Sequence, residues 1–70
     1  MNEHIRIAFR SQTDAFALTG QMKKEQIPYR MARPVDVQRG CTNAVIIERQ
    51  DLAAVKAIMQ RIGVREVEIR

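Results

Sequence analysis

The sequence predicts an α+β domain whose elements follow in the order β-α-β-β-α-β. Apolar and polar residues alternate near both ends of the chain, a nearly continuous β-branched run lies between them, and two segments of helical periodicity separate the predicted strands. The length of 70 residues suits one domain, because chains of this size bury only about 60% of the surface that they expose when unfolded. We therefore expect residues 1–70 to form a single domain.

The first strand and the first helix are predicted between residues 4 and 25. Ile5, Ile7 and Phe9 alternate with polar or small residues, which is the period of a half-buried strand. Ser11 is a candidate N-cap, and Pro28 requires that the helix has ended before it. The helix carries an apolar stripe that we expect to be buried, made up of Ala15, Phe16, Leu18 and Met22.

A short second strand and a long loop follow. Residues 29–32 are bounded by Pro34, which cannot donate to a sheet ladder, so this strand is expected at an edge. Residues 33–43 have no helical period and contain proline, glycine and asparagine, which is typical of a loop. Long loops in small domains tend to be functional. We therefore look for functional residues between positions 33 and 43.

The third strand, the second helix and the last strand complete the chain. Residues 44–48 are β-branched and apolar, as in a central strand. Asp51 is predicted to cap the second helix and Gly63 to end it with left-handed geometry. The apolar positions of this helix are Leu52, Val55, Ile58, Met59 and Ile62. Residues 67–69 alternate again and would place Glu68 opposite Arg6.

This order of elements predicts a ferredoxin-like βαββαβ sandwich. Two right-handed crossovers place both helices on one face of a four-stranded antiparallel sheet. The opposite sheet face, which carries Arg6, Arg10, Glu66 and Glu68, then faces solvent or a partner.

Charge and apolar content argue against two classes of partner. The net charge of +4 comes from arginines spread along the whole chain, so it does not mark one nucleic-acid-binding face. RNA binding ranks last, because the strands offer only Phe9 and Tyr29 for base stacking and Phe9 is patterned inward.

No segment approaches the roughly 20 apolar residues that span a membrane, and residues 1–4 lack the pattern of a signal peptide. A cytoplasmic protein is expected.

The single cysteine also restricts the chemistry. One thiol cannot form a disulfide within the chain, and no cluster of cysteine and histidine suits a metal ion. His4 is interpreted as a surface residue, and we predict neither a metal nor a cofactor.

Cys41 is the candidate reactive group. Arg39 and Arg33 would stabilise its thiolate and lower the pKa of the thiol, Gly40 lets the backbone turn beside it, and Thr42 completes the loop. The alternative is that Cys41 packs beneath the loop as a small apolar residue, since free cysteines are among the most buried residue types. The local sequence leaves both interpretations open.

Short motifs spread over almost the whole chain carry a family resemblance. They are Ile7-Ala8-Phe9-Arg10-Ser11, Thr13-Asp14-Ala15, Ile27-Pro28-Tyr29-Arg30, Arg33-Pro34, Gly40-Cys41 and Val64-Arg65-Glu66-Val67-Glu68. In this order they resemble small bacterial selenium or sulfur carrier-like domains, in which a proline-bearing loop carries a cysteine just before the third strand. The resemblance implies that Cys41 accepts sulfur or selenium from a donor protein, holds it as a persulfide or selenosulfide, and passes it to an acceptor protein. Such a protein is a carrier rather than an enzyme with turnover of its own.

A second class of function stays open beside the carrier. The chain would then be a non-catalytic protein-binding or regulatory module that forms a homodimer through the open sheet face, because small domains gain stability by association. In that case Cys41 would be dispensable, and a charge reversal at Arg6 would abolish the association.

Overall fold

The first strand of the sheet has one face in the core. A computed structural model of the chain describes residues 3–32, 43–66 and 68–69. The strand β1 spans His4–Phe9, and Ile5, Ile7 and Phe9 are buried on the same face, as the alternation predicts. Ala8 is also buried, although it belongs to the opposite face.

The first helix, α1, spans Gln12–Lys24 and begins as predicted. The Ser11 side chain accepts a hydrogen bond from the Asp14 backbone amide at 3.3 Å. Ala15, Leu18 and Met22 are buried, but Phe16 is 53% exposed, so its assignment to the buried stripe is wrong. Successive residues of a helix are about 100° apart, which turns Phe16 away from the line through the three buried side chains.

Thr19 completes the buried face of α1. It lies about 40° from Ala15 around the helix axis, on the side away from Leu18, and only 6% of it is exposed. The Thr19 hydroxyl donates to the Phe16 carbonyl oxygen at 3.3 Å, so its polar group is satisfied inside the core. The stripe predicted from the sequence contained only apolar residues, so it did not include Thr19.

The second and third strands form the next part of the sheet. The strand β2 spans Arg30–Ala32 and β3 spans Asn43–Glu48. β3 pairs antiparallel with β1 on one side and with β2 on the other. It is therefore a central strand, and β2 lies at an edge, as predicted. Val45 and Ile47 point into the core, and they are fully or almost fully buried.

The second helix, α2, spans Leu52–Ile62 and follows a short 3-10 turn at Arg49–Asp51. Asp51 occupies the N-cap position, but its side chain makes no capping hydrogen bond, so the predicted cap is wrong. The Asp51 backbone is helical (φ −92°, ψ −1°), whereas a capping side chain needs an extended backbone to reach the amides of the first turn. Gly63 ends the helix at φ 78°, in the predicted left-handed conformation.

A last pairing lies beside β1. Glu68–Ile69, the strand β4, pairs antiparallel with β1, so the order across the described strands is β2-β3-β1-β4. The register places Glu68 opposite Ala8, and the expected pairing with Arg6 is wrong. A shift of two residues leaves every side chain on its original face, so the alternation of the sequence cannot choose between these registers.

The core lies between one sheet face and both helices. Its largest fully buried side chains come from β1, β3, α1 and α2, namely Phe9, Ile7, Leu18, Met22, Ile47, Ile58, Val45 and Val55. The predicted α+β class, with two helices against an antiparallel sheet, is confirmed. Within the described ranges, no helix is both long enough and apolar enough to cross a bilayer.

Candidate functional site

The sequence places the candidate site in the segment between β2 and β3. All five of its residues lie outside the described residues, namely Arg33, Arg39, Gly40, Cys41 and Thr42. The structure describes the two residues that frame this segment. They are Ala32, the last residue of β2, and Asn43, the first residue of β3.

These framing residues lie at the same end of the sheet. Ala32 is one of the residues paired between β2 and β3, with Ala44 as its partner, and Asn43 is paired with Phe9 at the end of β1. Three strands therefore contribute to this end of the sheet. The segment between Ala32 and Asn43 therefore begins and ends at this end of the sheet.

The N-terminus of α1 lies at the same end. Phe9 closes β1, and α1 begins at Gln12 after only two intervening residues. The Ser11 side chain caps the Asp14 amide, and the Ser11 carbonyl oxygen accepts from the Ala15 amide at 3.2 Å. The aligned peptide dipoles give the start of a helix a partial positive charge.

Arg10 adds a full positive charge to this end of the sheet. It follows Phe9 directly and is exposed, and both Arg10 and Asn43 already take part in an interaction. Sequence reasoning named neither Arg10 nor the start of α1 as part of the site. The signal was present in the order of elements, because antiparallel pairing of the first and third strands brings the end of one beside the start of the other.

The other candidates for chemistry lie elsewhere. His4 is exposed, as expected, and it is paired with Glu48 at the far end of β1. Within residues 3–32, 43–66 and 68–69, no group of three or more metal-binding side chains comes together. The Asp51 Oδ2 atom is buried without a hydrogen-bond partner at the start of α2.

Carboxylates on the helical side of the molecule are engaged with neighbouring side chains. Glu25 accepts a hydrogen bond from Gln21 at 2.8 Å and forms an ion pair with Arg61 that joins α1 to α2. The Gln21 hydrogen bond, followed by the bond and charge of Arg61, lowers the pKa of Glu25 below its ordinary value. A second ion pair joins Arg49 and Glu3 at 2.8 Å. These groups are used within the fold and suggest no acid–base site.

Comparison with known proteins gives a family but no individual relative. None of the curated proteins and none of the solved structures matches the chain. A family model described as "Putative Se/S carrier protein-like" matches residues 5–69, which include the framing strands, both helices and Cys41. The match covers far more than half of the chain, and the chain therefore belongs to this Se/S carrier protein-like family.

Proposed function

We propose that the chain carries sulfur or selenium on Cys41 and hands it to an acceptor protein. Family membership over residues 5–69 is the observation that carries this proposal. Because the chain has one cysteine, a chalcogen held on a thiol has one possible position. A donor protein and an acceptor protein are the partners that the proposal requires, and no cofactor takes part.

The proposed transfer conserves atoms and electrons. The Cys41 thiolate attacks the outer sulfur of a persulfide on the donor protein. A new sulfur–sulfur bond forms on Cys41 while the bond in the donor breaks, and the donor leaves as a thiolate. Attack by an acceptor thiolate on the outer sulfur of the Cys41 persulfide repeats the exchange. With selenium in place of the outer sulfur, Cys41 holds a selenosulfide.

Positive charge near the framing residues supports a reactive thiol. Cys41 lies two residues before Asn43, so chain connectivity limits the separation of their Cα atoms to about 7.6 Å. The start of α1 and Arg10 lie at the end of the sheet that Asn43 occupies. Helix N-termini and arginines stabilise thiolates. We propose that they act with Arg39 and Arg33, while Gly40 and Thr42 shape the backbone beside the thiol.

Loading by a cysteine desulfurase tests the carrier. The protein is incubated with the desulfurase and cysteine, and its intact mass is measured without reductant. We expect a gain of one sulfur atom that dithiothreitol removes and that Cys41→Ser lacks. The Cys41→Ser variant should show an unchanged circular dichroism spectrum, because serine replaces only the sulfur atom. Wild-type protein that gains no mass, or a Cys41→Ser variant that gains the same mass, contradicts the proposal.

A pH titration of thiol alkylation tests the proposed electrostatics. We expect the pKa of Cys41 to lie below about 8.5, the ordinary value of a free cysteine. Arg39→Gln should raise this pKa. Lys56→Gln removes the same charge from the exposed side of α2 and serves as the matched control that leaves it unchanged. A thiol that titrates at the ordinary value and does not respond to Arg39 contradicts the proposed role of the arginines.

We also propose the finer organisation that this function requires. Residues 1–70 form one domain with the ferredoxin-like βαββαβ arrangement, in which the order β2-β3-β1-β4 supports a fourth strand longer than the pairing at Glu68–Ile69. A cytoplasmic location suits the chain, since reducing compartments keep a lone thiol free of disulfides.

A protein-binding module is the second candidate function. The sheet face opposite the core favours it, because Arg6 and Arg30 lie there on either side of Ile46. In its simplest form the module is a homodimer through this face, which light scattering during size-exclusion chromatography would detect and Arg6→Glu would abolish. Full function of a Cys41→Ser variant in cells would favour the module over the carrier.

A further inference from the structure

The sheet face opposite the core carries two arginines in one row across three strands. Ile46 of β3 is paired with Arg6 of β1 on one side and with Arg30 of β2 on the other. Arg30 is exposed, while Arg6 and Ile46 are half-buried. We call these three residues the arginine row. Because neighbouring strands lie about 4.8 Å apart, the Cα atoms of the two arginines are about 10 Å apart.

Over the residues that the structure describes, the two arginines of the row lack the ion pairs that Arg49 and Arg61 form with glutamates. Arg49 pairs with Glu3 and Arg61 pairs with Glu25. In the part of the chain that the structure describes, neither Arg6 nor Arg30 forms an ion pair with a carboxylate. Glu48 lies on the same sheet face, two residues after Ile46 along β3, and its carboxylate accepts a hydrogen bond from Gln50. Among the described residues, the row therefore keeps two guanidinium groups without an ion-pair partner.

A depression with a partly apolar lining adjoins the arginine row. A shallow cavity of about 270 Å³ is bordered by Ile46 and Arg30 of the row and by Pro28 and Tyr29 before β2. Glu48 also borders it, and the Glu48 carboxylate accepts a hydrogen bond from Gln50 at 2.9 Å. Protein interfaces commonly place an apolar anchor in such a depression and charged pairs around it.

We propose that the arginine row docks an acidic segment of a partner protein. Two carboxylates about 10 Å apart pair with Arg6 and Arg30, and an apolar side chain between them contacts Ile46 and the depression. An α-helix presents groups at this separation at positions i and i+7, with an apolar residue at i+3 or i+4 between them. The proposal goes beyond sulfur transfer, and it holds whether or not Cys41 carries a chalcogen.

Charge distinguishes this partner from a second copy of the chain. A symmetric dimer through this face would bring two copies of the row into one interface, where like charges are unfavourable and where Glu48 of each copy, on the same face, would offset part of that cost. Complementary carboxylates remove this cost and add charge-assisted hydrogen bonds to the guanidinium groups. The sheet face has no aromatic residue in the row on which nucleic-acid bases would stack, so an acidic protein segment fits better than RNA.

Binding of a designed acidic peptide tests the proposal. The probe is a fluorescein-labelled helical peptide with glutamates at i and i+7 and leucines at i+3 and i+4. A control peptide carries glutamine in place of both glutamates. We expect anisotropy to show salt-sensitive binding of the acidic peptide and clearly weaker binding of the control. The double variant Arg6→Gln/Arg30→Gln should weaken binding by about fivefold, since exposed ion pairs contribute modestly.

A variant of equal charge provides the matched control. Lys24→Gln/Lys56→Gln removes two positive charges from exposed positions of α1 and α2, and it should leave peptide binding within about twofold of the wild type. Cys41→Ser should also bind normally, which separates this proposal from the carrier. Amide chemical shifts should move at Arg6, Arg30 and Ile46. Equal loss in both double variants, equal binding of the glutamine peptide, shifts confined to the helices, or no binding at all would overturn the proposal.

Discussion

At the scale of single residues, both helices end on one residue in the left-handed conformation. Gly63 has φ 78° after α2, and the Val64 amide then donates to the Met59 carbonyl oxygen at 3.1 Å. Gln26 has φ 59° after α1, and the Ile27 amide donates to the Met22 carbonyl oxygen at 2.9 Å. The end of α1 is a Schellman motif, since the Gln26 amide also donates to the Lys23 carbonyl oxygen, whereas at the end of α2 the Gly63 amide donates to Met59 as in the αL motif. Both motifs normally place glycine at this position. Because Gln26 has a Cβ atom, the left-handed backbone at this residue is strained.

Replacement of Gln26 by glycine is expected to stabilise the protein. Left-handed geometry costs a residue with a Cβ atom about 1–2 kcal/mol, and the greater entropy of glycine in the unfolded chain offsets part of the gain. We expect Gln26→Gly to raise the free energy of unfolding by about 0.5–1 kcal/mol, measured by urea denaturation. Gly63→Ala is the opposite substitution and should destabilise by about 1 kcal/mol. A loss of stability in Gln26→Gly would show that strain at this residue is absent.

The two helices also differ in the backbone conformation of the residue that precedes them. Ser11 has an extended backbone and its side chain caps the Asp14 amide, whereas Asp51 has a helical backbone and caps nothing. Ser11→Ala should therefore cost about 1 kcal/mol of unfolding free energy. Asp51→Ala should cost less than half of that, because no capping bond is lost and a buried oxygen without a partner is removed. Equal losses in urea denaturation would contradict this difference.

At the scale of elements, an ion pair joins the two helices near the end of α1. Glu25 accepts from Gln21 of its own helix and pairs with Arg61 of α2. These groups lower the pKa of Glu25 from an ordinary value near 4.5. The stabilisation is fully present above the unfolded value and is lost as the pH falls through the lowered folded value.

Removal of the Arg61 charge should move this titration. We expect Arg61→Gln to raise the pKa of Glu25 toward 4.5 without reaching it, because the Gln21 hydrogen bond remains. Carboxyl chemical shifts measured by NMR against pH report the change. Arg49→Gln disrupts the separate pair with Glu3 and should leave Glu25 unaffected. A pKa of Glu25 that does not respond to Arg61 would show that the helices are not coupled through this pair.

Element types were the part of the fold that the sequence predicted best. Alternation predicted β1, and the spacing of Val55, Ile58 and Met59 predicted the buried face of α2. These patterns are strong because burial imposes one period on a strand and another on a helix. Phe16 was misassigned because apolar character alone does not fix the angle of a residue around the helix axis. The capping geometry at Asp51 depends on backbone angles that composition does not encode.

At the scale of the whole molecule, the site predicted from the sequence lies outside the described residues. The motifs spread from Ile7 to Glu68 predicted the family, and the match over residues 5–69 confirms it. The site predicted around Cys41 did not include Arg10 or the start of α1, although the order of elements brings them to the same end of the sheet as Asn43. The roles of Cys41 and its neighbouring arginines stay predictions. The arginine row likewise required the register of three strands.

The intact mass of the protein, purified freshly and without reductant, tests the central claim most directly. We expect a fraction heavier by one sulfur or selenium atom, which returns to the unmodified mass after reduction and which grows after incubation with a cysteine desulfurase and cysteine. Cys41→Ser protein prepared in the same way should show only the unmodified mass. A single unmodified species of the wild type, both before and after that incubation, would contradict the account.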